Sequence, residues 1–336
     1  MINKKTKFCK AAALLGAAVM MISALAGCGK NTKVVLTAGL KKNEVFRISS
    51  ASCMLPEVMV YLTNMQNQYE SVYGSQIWNA SDGQLSLEQE EREQVLTQLA
   101  RIKVMNLLAQ KKEVTLDDKE KERAAAAGRE YFTSLNSAEV TALNVTQDLI
   151  TKMYEEYALA EKVYQTIVEN VNPEVSDDEA RTITVDMIRV SDSAKASQVL
   201  GKAKEEGVDF ETLAQAESED QTVTQSFGKG EVSEALEKAA FNIGKDEISD
   251  VVESDGSYYI LKCISTFDEA QTKANKEKIV KQRQSEAFDT EYTAFEQTLV
   301  RQLNEELWNS VTMIHQDDVK TSSFFEVYQM YFQHQE

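Results

Sequence analysis

The 336-residue sequence holds only two histidines and four cysteines, and both scarcities narrow the chemistry open to it. His315 and His334 stand apart near the C-terminus with no cysteine or acidic motif around them, so no metal-ligand set is legible and no cofactor is implied. Cys9 and Cys28 fall in or at the end of an N-terminal leader, which leaves Cys53 and Cys263. Nothing in the spacing brings these two together, and they read as buried free thiols. Positive charge is also in deficit: 36 lysines and arginines against 54 acids give a formal charge of −18. That sign is a poor match to nucleic acid, and the acids lie along helices and not in one block, as on a solvated surface. Repeating βαβ units are missing too, which sets aside a small-solute receptor. No apolar run reaches the roughly 20 residues that a membrane-spanning helix needs.

What is present begins with the leader. Lys4, Lys5, Lys7 and Lys10 precede a 16-residue apolar core, AAALLGAAVMMISALA, over residues 11–26. This is the layout of an export signal, read as residues 1–27. Leu25-Ala26-Gly27-Cys28 resembles the lipobox of bacterial lipoproteins, and that resemblance implies lipidation of Cys28. Each buried acyl CH₂ contributes about 0.8 kcal/mol, so two or three chains would hold the protein at the extracytoplasmic face of the cell membrane. Residues 28–42 then read as a polar tether.

Past the tether, apolar residues recur every three or four positions. Pro56 and Glu57 suit the first turn of a helix whose apolar side carries Val58, Leu62, Met65, Tyr69 and Val72. Ser86-Leu87-Glu88-Gln89 has the form of a capping box, and Leu96, Leu99, Ile102, Met105 and Leu108 extend the next stripe to about Lys111. Further helices are expected from Thr115–Asp118 and from about Thr146, until Asn172-Pro173 stops the run. The helical period returns at Asp268, with Phe288, Tyr292, Phe295, Leu299 and Leu303 on one face, then Phe324, Tyr328 and Phe332 on a terminal one. These aromatic faces need partners, so 43–175 and 268–336 are expected to fold together as one split helical domain.

Between the halves the pattern changes. ITVDMIRV at 183–190 is a β-branched run, and SYYILKCI at 257–264 is another, after the turn Ser254-Asp255-Gly256. Short helical stretches lie between them, which makes 181–266 an inserted α+β unit and the whole chain an α+β protein. Within this unit GVDFETLAQAESED (207–220), GEVSEALEKAAF (230–241), GKDEISDVV (244–252) and DGSYYILK (255–262) follow in order. That order resembles the parvulin (PpiC-type) peptidyl-prolyl isomerase domain. With the lipobox and the helical flanks, the chain is similar to the PrsA-type foldase lipoproteins, whose helical part is related to the SurA-type chaperone domain.

The resemblance implies a foldase that binds unfolded or newly exported polypeptides through its helical part. It also implies site residues, one position at a time. Where the family carries a histidine in its first strand this chain has Met187, and where a second follows the turn glycine it has Tyr258. Asp220 matches a position held by cysteine or aspartate, with capping of the next turn as an equal reading. Val232, Leu236, Phe227 and Phe241 match the apolar pocket wall, and the glycine-rich run before Phe227 is shortened to Thr224-Gln225-Ser226. With both histidines replaced, methionine sulfur offers only a weak acceptor in place of a ring nitrogen. Two readings follow: a foldase with weak or lost isomerase activity, or a non-catalytic polypeptide-binding chaperone whose parvulin module binds peptide or acts as a spacer.

Overall fold

A computed structural model describes residues 39–80 and 86–333. The export signal, Cys28, most of the tether and His334 lie outside the described residues. The chain divides into two compact units, Met1–Asn170 with Ala287–Glu336, and Val171–Glu286.

The first unit is helical: α1 (Leu55–Tyr73), α2 (Leu87–Lys111), α3 (Asp118–Ser134), α4 (Ser137–Leu143) and α5 (Gln147–Val168). Their starts follow local chemistry. Ser86 Oγ accepts from Gln89 N at 3.3 Å while Ser86 N donates to Gln89 Oε1 at 3.0 Å, so the capping box closes. Asp117 caps α3 and Asn136 caps α4 in the same reciprocal way. The core is aromatic and polar together. Tyr154 stacks on Phe324 with centroids 4.5 Å apart, and Tyr131 meets Phe324 edge-on at 5.3 Å. Asn64 bridges them, donating to Tyr131 Oη at 2.7 Å and accepting from Phe324 N at 3.0 Å.

Two features of this unit depart from the sequence reading. Residues 44–48 and 51–54 form strands β1 (Glu44–Ile48) and β2 (Ala51–Met54) ahead of the first helix. The stripe through Leu299 and Leu303 is also not one helix. Helix α10 (Glu269–Glu296) ends first, Thr298 Oγ1 donates back to Phe295 O at 2.7 Å, and Arg301–Leu303 becomes strand β7 against β1. A helical period that continues past its helix gave the wrong element there.

The second unit is built on an antiparallel sheet in the order β4-β3-β6-β5, with β3 (Thr182–Val190) and β6 (Ser257–Ser265) at its centre. The shorter β4 (Thr224–Gly228) and β5 (Val252–Ser254) complete it. Asp255 and Gly256 both have positive φ, 49° and 74°, as the tight β5–β6 turn requires. Helices α7 (Ser193–Ala203) and α8 (Phe210–Glu217) cover one face of the sheet, and α9 (Glu234–Asn242) covers the other. The short α6 (Asp177–Ala180) leads into β3, and the first part of α10 packs with this unit. There Thr272 Oγ1 accepts from Thr182 N at 3.2 Å and Lys276 pairs with Asp177 at 2.6 Å. Cys53 and Cys263 are both buried and unpaired, one in each unit. Burial pushes both thiols up, which leaves them inert as nucleophiles near neutral pH.

Candidate functional site

Side chains on β3 alternate between faces, and the alternation decides which candidates meet. Ile183, Val185 and Met187 point to the face covered by α9, while Ile188 and Val190 point to the face covered by α7 and α8. Met187 joins Phe227, Leu236 and Leu261 in one cluster, with Val232 and Phe241 packed at its edge. Five of the seven residues singled out from the sequence are therefore together.

The cluster is closed. Met187 is 8% exposed, Phe227 5% and Leu236 8%, so these side chains fill one another and offer little surface to a ligand. Phe241 is partly buried, 6.4 Å from Phe227 by ring centroids, and its face is covered by the Arg181 guanidinium at 4.9 Å.

Tyr258 is not part of this group. It packs on the opposite face with Ile188 and Ile260, because β6 alternates as β3 does and Tyr258 lies across from Val190. The tyrosine on the Met187 face is Tyr259, paired in register with Arg189. Strand period alone carries this signal, since Tyr259, Leu261 and Cys263 must share a face. Counting from the turn glycine misses it.

Arg189 is the second residue that the sequence reading passed over. Its Nε donates to Asp220 Oδ1 at 2.7 Å and its Nη1 lies 3.6 Å from Glu219 Oε2. The bond to Asp220 holds the Arg189 guanidinium further up its already high range. Glu219 accepts from Ser191 N at 3.1 Å, and that backbone bond, ahead of the nearby guanidinium, keeps its carboxyl below the usual range. The turn itself is tied by Ser218, whose Oγ accepts from both Asp220 N and Arg189 N. The Asp220 carboxylate thus serves an ion pair and not the turn cap that the sequence allowed. The assembled site is a closed apolar wall beside a guanidinium–carboxylate pair, able to donate hydrogen bonds to a peptide carbonyl from its rim.

Comparison with known proteins adds family information to this geometry. Residues 161–278 match the PPIC-type PPIASE domain family. A curated relative, foldase protein PrsA of Streptococcus pneumoniae, is 30% identical over 165 residues, covering 44% of this chain and 53% of that one. The chain thus spans about half the length of the curated relatives it matches. Among solved structures, the peptidylprolyl isomerase PrsA of Bacillus cereus aligns with 72% of this chain and 91% of its own at 18% identity, with a TM-score of 0.38. One of two SurA-like chaperones of Campylobacter jejuni aligns with 78% of this chain and 99% of its own at 10% identity, with a TM-score of 0.31.

Proposed function

We propose that the protein is an extracytoplasmic foldase, anchored by lipid on Cys28; the match of residues 161–278 to the PPIC-type PPIASE domain family and the similarity to the PrsA foldases support this reading. Its clients are unfolded or newly exported polypeptides, held through its helical unit, with little turnover in its parvulin unit. Rotation about an X-Pro amide faces a barrier of about 18–20 kcal/mol and takes tens to hundreds of seconds unaided. A parvulin site favours the twisted amide by complementarity, with polar groups preset around an apolar pocket for the proline ring. Here the observation that carries the reading is the pairing of Asp220 with Arg189 beside a wall in which Met187, Phe227 and Leu236 are closed on one another. Removing preorganised donors from a site costs on the order of 10²–10³ in rate.

The test is a protease-coupled assay on an X-Pro peptide run beside an aggregation assay with a refolding client. Turnover near background, unchanged by Asp220→Ala, together with suppressed aggregation is the expected result. Acceleration that Asp220→Ala abolishes would overturn the holding role and restore the enzyme reading. The anchor is tested separately by fractionating cells that express Cys28→Ser. The variant should leave the membrane fraction, and its retention there would remove the lipid from the proposal.

A further inference from the structure

Residues 311–323 cross the helical unit as neither helix nor strand, apart from a turn at 317–318. Buried main-chain groups need partners, and this segment finds them in the side chains of others. Gln66 pairs with one residue twice, donating from Nε2 to Ile314 O at 3.0 Å and accepting from Ile314 N at 3.1 Å. Asn67 Nδ2 donates to Val319 O at 3.3 Å and to Thr321 O at 2.8 Å, and Gln68 Nε2 donates to Ser322 O at 2.9 Å. From α4, Glu139 Oε1 accepts from Lys320 N at 2.8 Å and from Thr321 N at 2.7 Å, while Asn136 Nδ2 donates to Asp318 O at 2.8 Å.

We propose that the amide-rich face of α1, with Asn136 and Glu139, is a binding track for extended polypeptide main chain, and that residues 311–323 occupy it as an internal ligand which a client displaces. The inference rests on the polypeptide-binding reading above and names the place where such binding occurs. Bonds from side chains to peptide groups are indifferent to the side chains of the segment they hold, which is what a protein with many clients requires. The double bond at Gln66 is the pairing that a neighbouring strand would make, and a proline at that point would lose half of it.

The segment is also the piece best placed to leave. It buries Val311, Met313 and Val319 but no aromatic ring, and residues 315–318 are exposed. Helix α11 (Phe324–Phe332), which follows, is fixed by Phe324 and Tyr328 in the aromatic core and remains docked. Irregular, half-exposed segments open at lower free energy than the helices that carry them. The ligand class is therefore an unfolded segment with free N–H and C=O groups and aliphatic side chains for the sites of Met313 and Val319.

Hydrogen exchange on the mature protein, with and without a saturating reduced and carboxymethylated polypeptide, tests this directly. The amides of Ile314, Lys320 and Thr321 should lose protection at least tenfold when the polypeptide is bound, while those of α5 do not change. Retained protection in the bound state overturns the proposal. A second measurement uses Gln68→Cys with Ser322→Cys, bridged by a short cleavable cross-linker; the native Cys53 and Cys263 are buried. The bridged form should bind the polypeptide at least tenfold more weakly, and cleavage should restore affinity. Unchanged affinity sinks the track and leaves client binding intact, whereas no binding by the unmodified protein sinks the reading beneath it.

Discussion

The two units treat polar groups in opposite ways. The helical unit buries Glu57, Asn64, Gln66, Asn67, Glu91, Lys103 and Glu139, while the inserted unit buries Thr182, Asp186, Ser249, Ser254 and Thr272 and keeps its ion pairs near the surface. In the first, specificity comes from contacts between residues far apart in sequence, such as Asn64 with Tyr131 and Phe324. In the second it comes from apolar alternation along strands. A buried charge deprived of its partner is costly, and an exposed pair contributes little. The units should therefore respond very differently to the loss of one cation.

The largest effect is expected at Lys103, which donates to Glu57 Oε1 at 2.5 Å and Glu156 Oε2 at 2.6 Å with both Lys103 and Glu57 almost fully buried. Lys103→Met strands Glu57 and should cost about 3–5 kcal/mol. Both tryptophans, Trp78 and Trp308, belong to the helical unit, so urea unfolding followed by their fluorescence reads this unit alone.

Next is Glu91, whose two carboxylate oxygens are buried without a partner and whose pKa burial pushes up from 4.5 to about 7. With the folded pKa above the unfolded one, the folded state holds the proton more tightly. The contribution of Glu91 to stability is then fully present below about pH 4.5 and is lost as pH rises through about 7. Glu91→Leu should flatten that slope and raise stability at pH 8 by on the order of 3 kcal/mol. An unchanged slope in urea titrations from pH 5 to 8 would remove Glu91 as its source.

The smallest effect is expected in the inserted unit. Arg189→Ala breaks the pair with Asp220, in which both side chains are about a third exposed, and should change stability by no more than about 1 kcal/mol. Exchange of the β3 amides reads it. Equal losses at Lys103 and Arg189 would erase the contrast between the units.

That contrast also explains what could be read from sequence. The strand at 182–190 and the short helices after it were legible because apolar alternation and caps are local, and the ordered glycine and phenylalanine motifs pointed to the parvulin fold. Ser86 and Gln89 announced their own box. Strands β1 and β2 were not legible: they are short, and β1 pairs with Arg301–Leu303, some 250 positions away. Met187, Phe227, Val232, Leu236 and Phe241 share one cluster, as their apolar type suggests. Counting from the turn glycine leads to Tyr258, whereas the strand face shared with Met187 carries Tyr259. Arg189 escaped notice because an arginine in a strand reads as exposed until the loop bearing Asp220 is seen to fold onto it.

The slot lined by Tyr61, Tyr131 and Tyr154 is filled by Phe324, which follows the whole inserted unit in the chain. A chain made from its N-terminus onward must hold that slot vacant until the inserted unit has been made. The uninterrupted stretch from 171 to 286 waits for nothing downstream and can close first. The larger of the two units is thus the one completed last.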